Sequence, residues 1–218
     1  MPQMIEKIDG LLKSVYGDKV IKPHNDPVGE LIRTILSQNT SDINRDRAYT
    51  ALRKRFPTWE EIANARTNSI KSAIKPGGLA DTKAPRIKEV LKGIRNGSGL
   101  YELQILKKMP VEDAIKYLTG FKGVGVKTAS CVLLFSFGIK VFPVDTHIFR
   151  ISRRLELIPE KNNREKAFEL LNNEIPKKLF YRLHLNIIEL GRKICRARKP
   201  LCSDCVLVKL CPSAFSFN

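Results

Sequence analysis

The chain has 218 residues, with 39 Lys and Arg against 22 Asp and Glu, a formal net charge of +17. Hydrophobic residues make up 43% and charged residues 28%, a balance that folds and so excludes bulk disorder. The longest apolar run, Ala129 to Ile139, is broken by Ser130, Ser136 and Gly138 and falls far short of the roughly 20 residues a membrane-spanning helix needs. Met1-Pro2-Gln3-Met4-Ile5-Glu6 lacks the apolar segment of a secretion signal. The chain therefore reads as soluble and intracellular, with no membrane partner. The excess of cations fits either a solubilising surface or a polyanion partner, and charge alone does not choose between DNA, RNA and an anionic membrane.

In chain order the apolar residues recur at helical steps. Ile5, Ile8, Leu11, Leu12 and Val15 form one stripe. Pro27 suits a first helical turn, and Leu31, Ile32, Ile35 and Leu36 follow it. Asp42 is placed to cap a helix over 43–56, and Thr58 one over 59–65. A short helix over 69–74 ends at Pro76-Gly77-Gly78. Thr82 is placed to cap 83–95, which Asn96-Gly97-Ser98-Gly99 interrupts. Helices over 111–118, 124–137, 146–155, 163–173 and 179–194 complete an all-α chain of about eleven helices.

Three constellations carry chemistry. Cys195, Cys202, Cys205 and Cys211 follow the spacing C-x6-C-x2-C-x5-C within 17 residues. Four soft thiolates suit tetrahedral zinc or an iron–sulfur cluster. Only Cys202–Cys205 makes the close step usual in zinc ribbons, so the wider loops favour the larger cluster. Arg196, Arg198 and Lys199 lie in the first of those loops. A pinned loop presents such cations to phosphate at a reduced entropic cost; the other reading is a fold staple with solvated cations. Cys131 sits in an apolar helix and reads as a buried thiol.

The second constellation is Phe121-Lys122-Gly123-Val124-Gly125-Val126-Lys127-Thr128-Ala129, between two helical stretches. Gly123 and Gly125 allow a tight turn whose amides point outward at a helix start, where phosphate binds without side chains. Lys122 adds charge beside it. This is the helix-hairpin-helix pattern, which grips DNA non-specifically. Lys127 falls in the first turn of the second helix. It reads either as another phosphate contact or as a nucleophile, because a helix N-terminus and burial both disfavour its ammonium form. The third is Val144-Asp145-Thr146-His147-Ile148-Phe149-Arg150. Asp145 reads as a helix cap; paired with Lys127, its carboxylate would also stabilise a cationic sugar or take a proton from the amine. His147 reads as a packed structural residue.

These pieces, in this order and together with Leu190-Gly191-Arg192 before the cysteines, resemble the endonuclease III family of DNA glycosylases in the helix-hairpin-helix superfamily. The resemblance covers nearly the whole chain. It implies a two-lobed all-α fold: a six-helix barrel over residues 25–138, and an iron–sulfur lobe built from 1–24 and 139–218. It implies a [4Fe-4S] cluster on Cys195, Cys202, Cys205 and Cys211, and double-stranded DNA with a damaged base or abasic site as partner of a monomeric enzyme. It further implies base excision of oxidised pyrimidines by attack of Lys127 on C1′, supported by Asp145, followed by β-elimination.

The target base must leave the stack, and an apolar wedge is one device that fills the hole. The matching stretches are Leu36-Ser37-Gln38-Asn39-Thr40-Ser41-Asp42 and Gly77-Gly78-Leu79, with Leu79 as wedge. Asn39 aligns with the inserted Gln of the bacterial enzyme and Gln38 precedes it, so either side chain is a candidate to enter the duplex. Thr119 stands where that enzyme has an acidic residue. Two other readings stand beside the main one: a monofunctional mismatch or adenine glycosylase, which typically lacks the hairpin lysine, and a non-catalytic DNA-binding iron–sulfur protein.

Overall fold

The computed structural model describes residues 1–216, which hold eleven α-helices, short 3-10 turns and no strand. The chain divides into two compact units: Pro23–Ile139, and Met1–Lys22 with Lys140–Asn218.

The Pro23–Ile139 unit holds α2 (Pro27–Leu36), α3 (Asp42–Arg55), α4 (Trp59–Asn64), α5 (Thr67–Ile74), α6 (Ala80–Ser98), α7 (Val111–Thr119) and α8 (Val126–Phe137). Pro27 occupies the first turn of α2, and the Asp26 carboxylate accepts the Gly29 amide at 2.9 Å. Val28, Leu31, Ile32, Ile35 and Leu36 are buried, and α2 packs against α8. Every residue of α8 from Thr128 to Leu134 is buried, as expected of a helix apolar on all sides. Around that pair, α6 packs on α4 and α5, and α7 on α8.

Two expected caps are corrected. Ser41, not Asp42, caps α3, with its hydroxyl accepting the Asn44 amide at 3.3 Å. Asp42 is the first helical residue, where its charge still suits the positive end of the dipole. Thr82 does not cap α6, which starts two residues before it at Ala80, directly after Leu79 in the left-handed region, and encloses Pro85. Nor does Asn96-Gly97-Ser98 end it. The helix runs to Ser98 and stops at Gly99, whose φ of +74° is a left-handed cap.

The other unit holds α1 (Pro2–Tyr16), α9 (Thr146–Arg154), α10 (Arg164–Glu174), α11 (Phe180–Lys193) and the cysteine-bearing coil. Ile5, Ile8 and Leu12 of α1 and Leu183, Ile187 and Leu190 of α11 are buried, and α11 packs on both α1 and α9. A two-pronged ion pair ties α1 to α11: Arg182 Nε donates to Asp9 Oδ1 at 3.0 Å and Nη2 to Oδ2 at 2.5 Å. Asp9 is buried, so its charge is compensated where water is excluded. Gly191 is where α11 and α9 approach. A Cβ there would stand 2.6 Å from His147 Nδ1 and 2.9 Å from its Cβ. Gly191→Ala is expected to lower stability by about 1–3 kcal/mol through overpacking, measured by urea unfolding.

Candidate functional site

The hairpin between α7 and α8 closes with the Phe121 amide on the Leu118 carbonyl at 3.2 Å and the Val124 amide on the Phe121 carbonyl at 3.0 Å. Buried Val124 anchors the loop, while Lys122, Gly123 and Gly125 are exposed. Gly123 has φ +81°, and a Cβ on it would stand 2.1 Å from Arg86 Nε. Gly125, the N-cap of α8, is extended at φ −95° and a Cβ on it would meet nothing within 4 Å. The fold itself thus demands glycine at 123 but not at 125. No side chain caps α8, and the first acceptor, Gly125 O, takes the Ala129 amide at 3.0 Å. The leading amides of α8 therefore lie outside its hydrogen-bond ladder, at the positive end of its dipole, an arrangement suited to phosphate. Half-buried Lys127 is the second residue of this helix.

Asp145 belongs to the other unit. It caps α9, with Oδ1 accepting the Ile148 amide at 2.8 Å, and is half-buried. The cap employs one of its two carboxylate oxygens. Burial holds the His147 imidazole below its usual value, although the Asp145 charge opposes this. Its Nδ1 lies 3.1 Å from Arg150 Nη2, in keeping with a packed structural role.

The structure separates the two residues after Ser37. The Gln38 Oε1 accepts from Arg86 Nη1 at 2.6 Å, and its Nε2 donates to the Gly123 carbonyl at 3.4 Å. Asn39 is exposed and left-handed at φ +52°. Leu79 is also left-handed, at φ +50°, and its apolar side chain is 53% exposed. Positive φ is strained for a residue with a bulky side chain, and such strain concentrates at functional sites.

Two residues on α6 escaped the sequence reading. Lys83 is 1% exposed, and its Nζ donates to the carbonyls of Leu36 at 2.7 Å and Gly77 at 2.8 Å. Arg86, half-buried, holds Gln38. The available signal was periodicity: Lys83 shares the buried face of Ile87, Val90, Leu91 and Ile94.

The four cysteines Cys195, Cys202, Cys205 and Cys211 line one small cavity together with Arg154, Leu201 and Val208. Arg154 Nη1 donates to Cys195 Sγ at 3.1 Å. Burial pushes the Cys205 and Cys211 thiols up, and the neighbouring cysteines add to this; backbone hydrogen bonds at Leu207 and Ser213 oppose it. Among the described residues no group of three or more His, Cys, Asp or Glu side chains is gathered so as to hold a metal ion. The loop after Cys195 turns its carbonyls toward two guanidiniums. Arg150 donates to Cys195 O at 2.7 Å, and Arg154 to Arg196 O at 2.7 Å and Ala197 O at 3.1 Å. Arg196, Arg198 and Lys199 are exposed on that loop.

Residues 32–177 match the HhH-GPD superfamily of base excision DNA repair proteins. The chain is 39% identical over 175 residues to a candidate DNA glycosylase of Arabidopsis thaliana, covering 80% of this chain and 57% of that protein, so it spans little more than half of that relative. It is 34% identical over 186 residues to endonuclease III of Thermotoga maritima, covering 85% and 83% of the two chains. Its structure matches that of an endonuclease III in a non-covalent complex with DNA at a TM-score of 0.84 and 26% identity, over 98% of this chain and 96% of that one. The chain belongs to the HhH-GPD superfamily of base excision DNA repair proteins. Within that superfamily it is of the endonuclease III type, the family that its hairpin, Asp145 segment and cysteines resemble.

Gly123→Ala is expected to cost about 1–3 kcal/mol, from left-handed strain and displacement of Arg86, and to weaken duplex binding. Thermal melting and fluorescence anisotropy with a labelled duplex check the two effects.

Proposed function

We propose that this chain is a bifunctional DNA glycosylase and abasic-site lyase that removes oxidised pyrimidines from duplex DNA. The observation that carries the reading is Lys127, half-buried in the first turn of α8 behind a hairpin whose amides suit phosphate. An amine so placed serves as nucleophile and accounts for excision and strand cleavage with one residue, whereas an activated water accounts for excision alone.

In this mechanism the exposed hairpin residues Lys122, Gly123 and Gly125 grip the backbone, and Arg196, Arg198 and Lys199 add phosphate contacts. Leu79 fills the space of the flipped nucleotide. Asn39 faces the orphaned base; its exposure, and the engagement of Gln38 with Arg86 and Gly123, support Asn39 over Gln38. The neutral Lys127 amine attacks C1′ as the C1′–N bond breaks, and the bonding pair leaves with the base. Asp145 supports the cationic sugar and accepts the proton that the amine sheds. The nitrogen lone pair then expels O4′, which takes the proton held by Asp145, and the ring opens to a Schiff base that acidifies the C2′ proton. Its removal expels the 3′ phosphate oxygen with the C3′–O pair. Cys195, Cys202, Cys205 and Cys211 would hold a [4Fe-4S] cluster, a reading supported by the four thiols around one cavity. The cluster would staple the loop that carries Arg196, Arg198 and Lys199.

Borohydride added to the protein on an abasic-site duplex is expected to give a covalent adduct, and Lys127→Ala to abolish it. Excision without an adduct would instead mark a monofunctional glycosylase, and binding without either would mark a non-catalytic clamp. A duplex carrying thymine glycol is the expected excision substrate. Purified protein is expected to be brown, with about four irons per chain by metal analysis; one zinc and no colour would overturn the cluster.

A further inference from the structure

We propose that Lys83 and Arg86 are positioning residues, a two-cation bracket on α6 that presets the turns bearing Asn39 and Leu79 for insertion into DNA. The proposal rests on the glycosylase reading above and deepens it.

A packing position on α6 is occupied by an ammonium, that of Lys83, with 1% exposure and held by two neutral carbonyls. Desolvation and the nearby Arg86 charge lower its pKa, as burial of a cation requires. A leucine or methionine would pack there without that penalty, so the location of the two acceptors matters. Leu36 is the last residue of α2, and its carbonyl belongs to the orphaned set at the negative end of the helix dipole. Gly77 closes the 3-10 turn over Lys75–Gly77. One Nζ thus ties together the roots of both turns, three residues before Asn39 and two before Leu79.

Arg86, three residues after Lys83 on α6, extends the bracket. It holds the Gln38 Oε1 at 2.6 Å and lies against Gly123, so close that a Cβ would collide with it. Gln38 in turn donates to the Gly123 carbonyl. Gln38 is thereby committed on both ends of its amide, and its neighbour Asn39 is the side chain left projecting. Asn39 and Leu79 both have a left-handed backbone; asparagine tolerates it, but leucine does not favour it. Such conformations persist only where the surroundings over-determine them, and the bracket supplies the surroundings. Ordering the turns in advance removes that cost from the encounter with DNA.

The test uses the full chain as wild type, Lys83→Met, Arg86→Met and Arg86→Lys. The first probe is a duplex with 2-aminopurine opposite a tetrahydrofuran abasic-site analogue, whose fluorescence rises when the base is unstacked. The second is thymine glycol placed either in a duplex or in an unpaired bulge, where no insertion is needed. Both Met variants are expected to keep wild-type affinity for undamaged duplex, to lose more than about half of the fluorescence gain, and to slow single-turnover excision from duplex about a hundredfold, the scale of an ångström-level misplacement. Excision from the bulge is expected to fall much less, and Arg86→Lys to lie between wild type and Arg86→Met. Equal losses on duplex and bulge would reduce the pair to fold stabilisers and overturn the proposal, as would a wild-type fluorescence gain in both Met variants. If Lys83→Met does not fold, Arg86→Met decides by the same criteria, because Arg86 is only half-buried where Lys83 is fully so. Should the wild type excise no base, the glycosylase reading fails, and the fluorescence readout, which needs no bond cleavage, still decides the bracket.

Discussion

Burial of α8 on every side is the constraint around which the Pro23–Ile139 unit is arranged. A helix with no polar face has to be surrounded, and α2 and α7 pack against it. Its N-terminus must nevertheless surface, because its leading amides need partners that an apolar core does not offer. The hairpin sits at that point of emergence. Lys127 therefore stands on a fixed support: six of the seven residues after it are apolar or small and buried, and the remaining one, Thr128, is buried as well. A rigid helix start fixes the side chain it carries more closely than a mobile loop does, and where chemistry is concerned placement errors of an ångström are costly.

Much of this was legible in the residues. The periodicity located the eleven helices of the described residues, and Thr58 and Asp145 cap the segments they precede. The errors fell where two signals competed. Ser41 and Asp42 are both good caps, and only backbone geometry decides between adjacent candidates. At the start of α6 the helix begins from Leu79 in a left-handed conformation, which no propensity scale would select. A fold that pins a leucine in that state overrides local preference, and local preference is what a sequence pattern measures.

The roles of neighbouring side chains were less legible than the elements. Gln38 and Asn39 are chemically close and adjacent, and nothing in the sequence separates one engaged with an arginine from one facing water. Lys83 shows the same limit in sharper form. A lysine in a basic chain reads as surface by default, and only its register with Ile87 and Val90 hints at burial. The gathering of the four thiols around one cavity was easier, because four cysteines within 17 residues stand out by number and closeness alone. Its support, Arg150 and Arg154 donating to the loop carbonyls, lies more than 40 residues upstream and needed coordinates to be seen.

The division of the chain has a consequence for synthesis. Pro23–Ile139 is one uninterrupted stretch, so its packing partners are all made before the chain is finished, whereas the other unit brings together segments that flank it. α1, made before α11, has to wait for it, and the Asp9–Arg182 clasp spans 173 positions. Long-range pairings of this kind form slowly, so the amphipathic α1 spends the interval with its apolar stripe uncovered, the period in which a nascent chain most needs a chaperone.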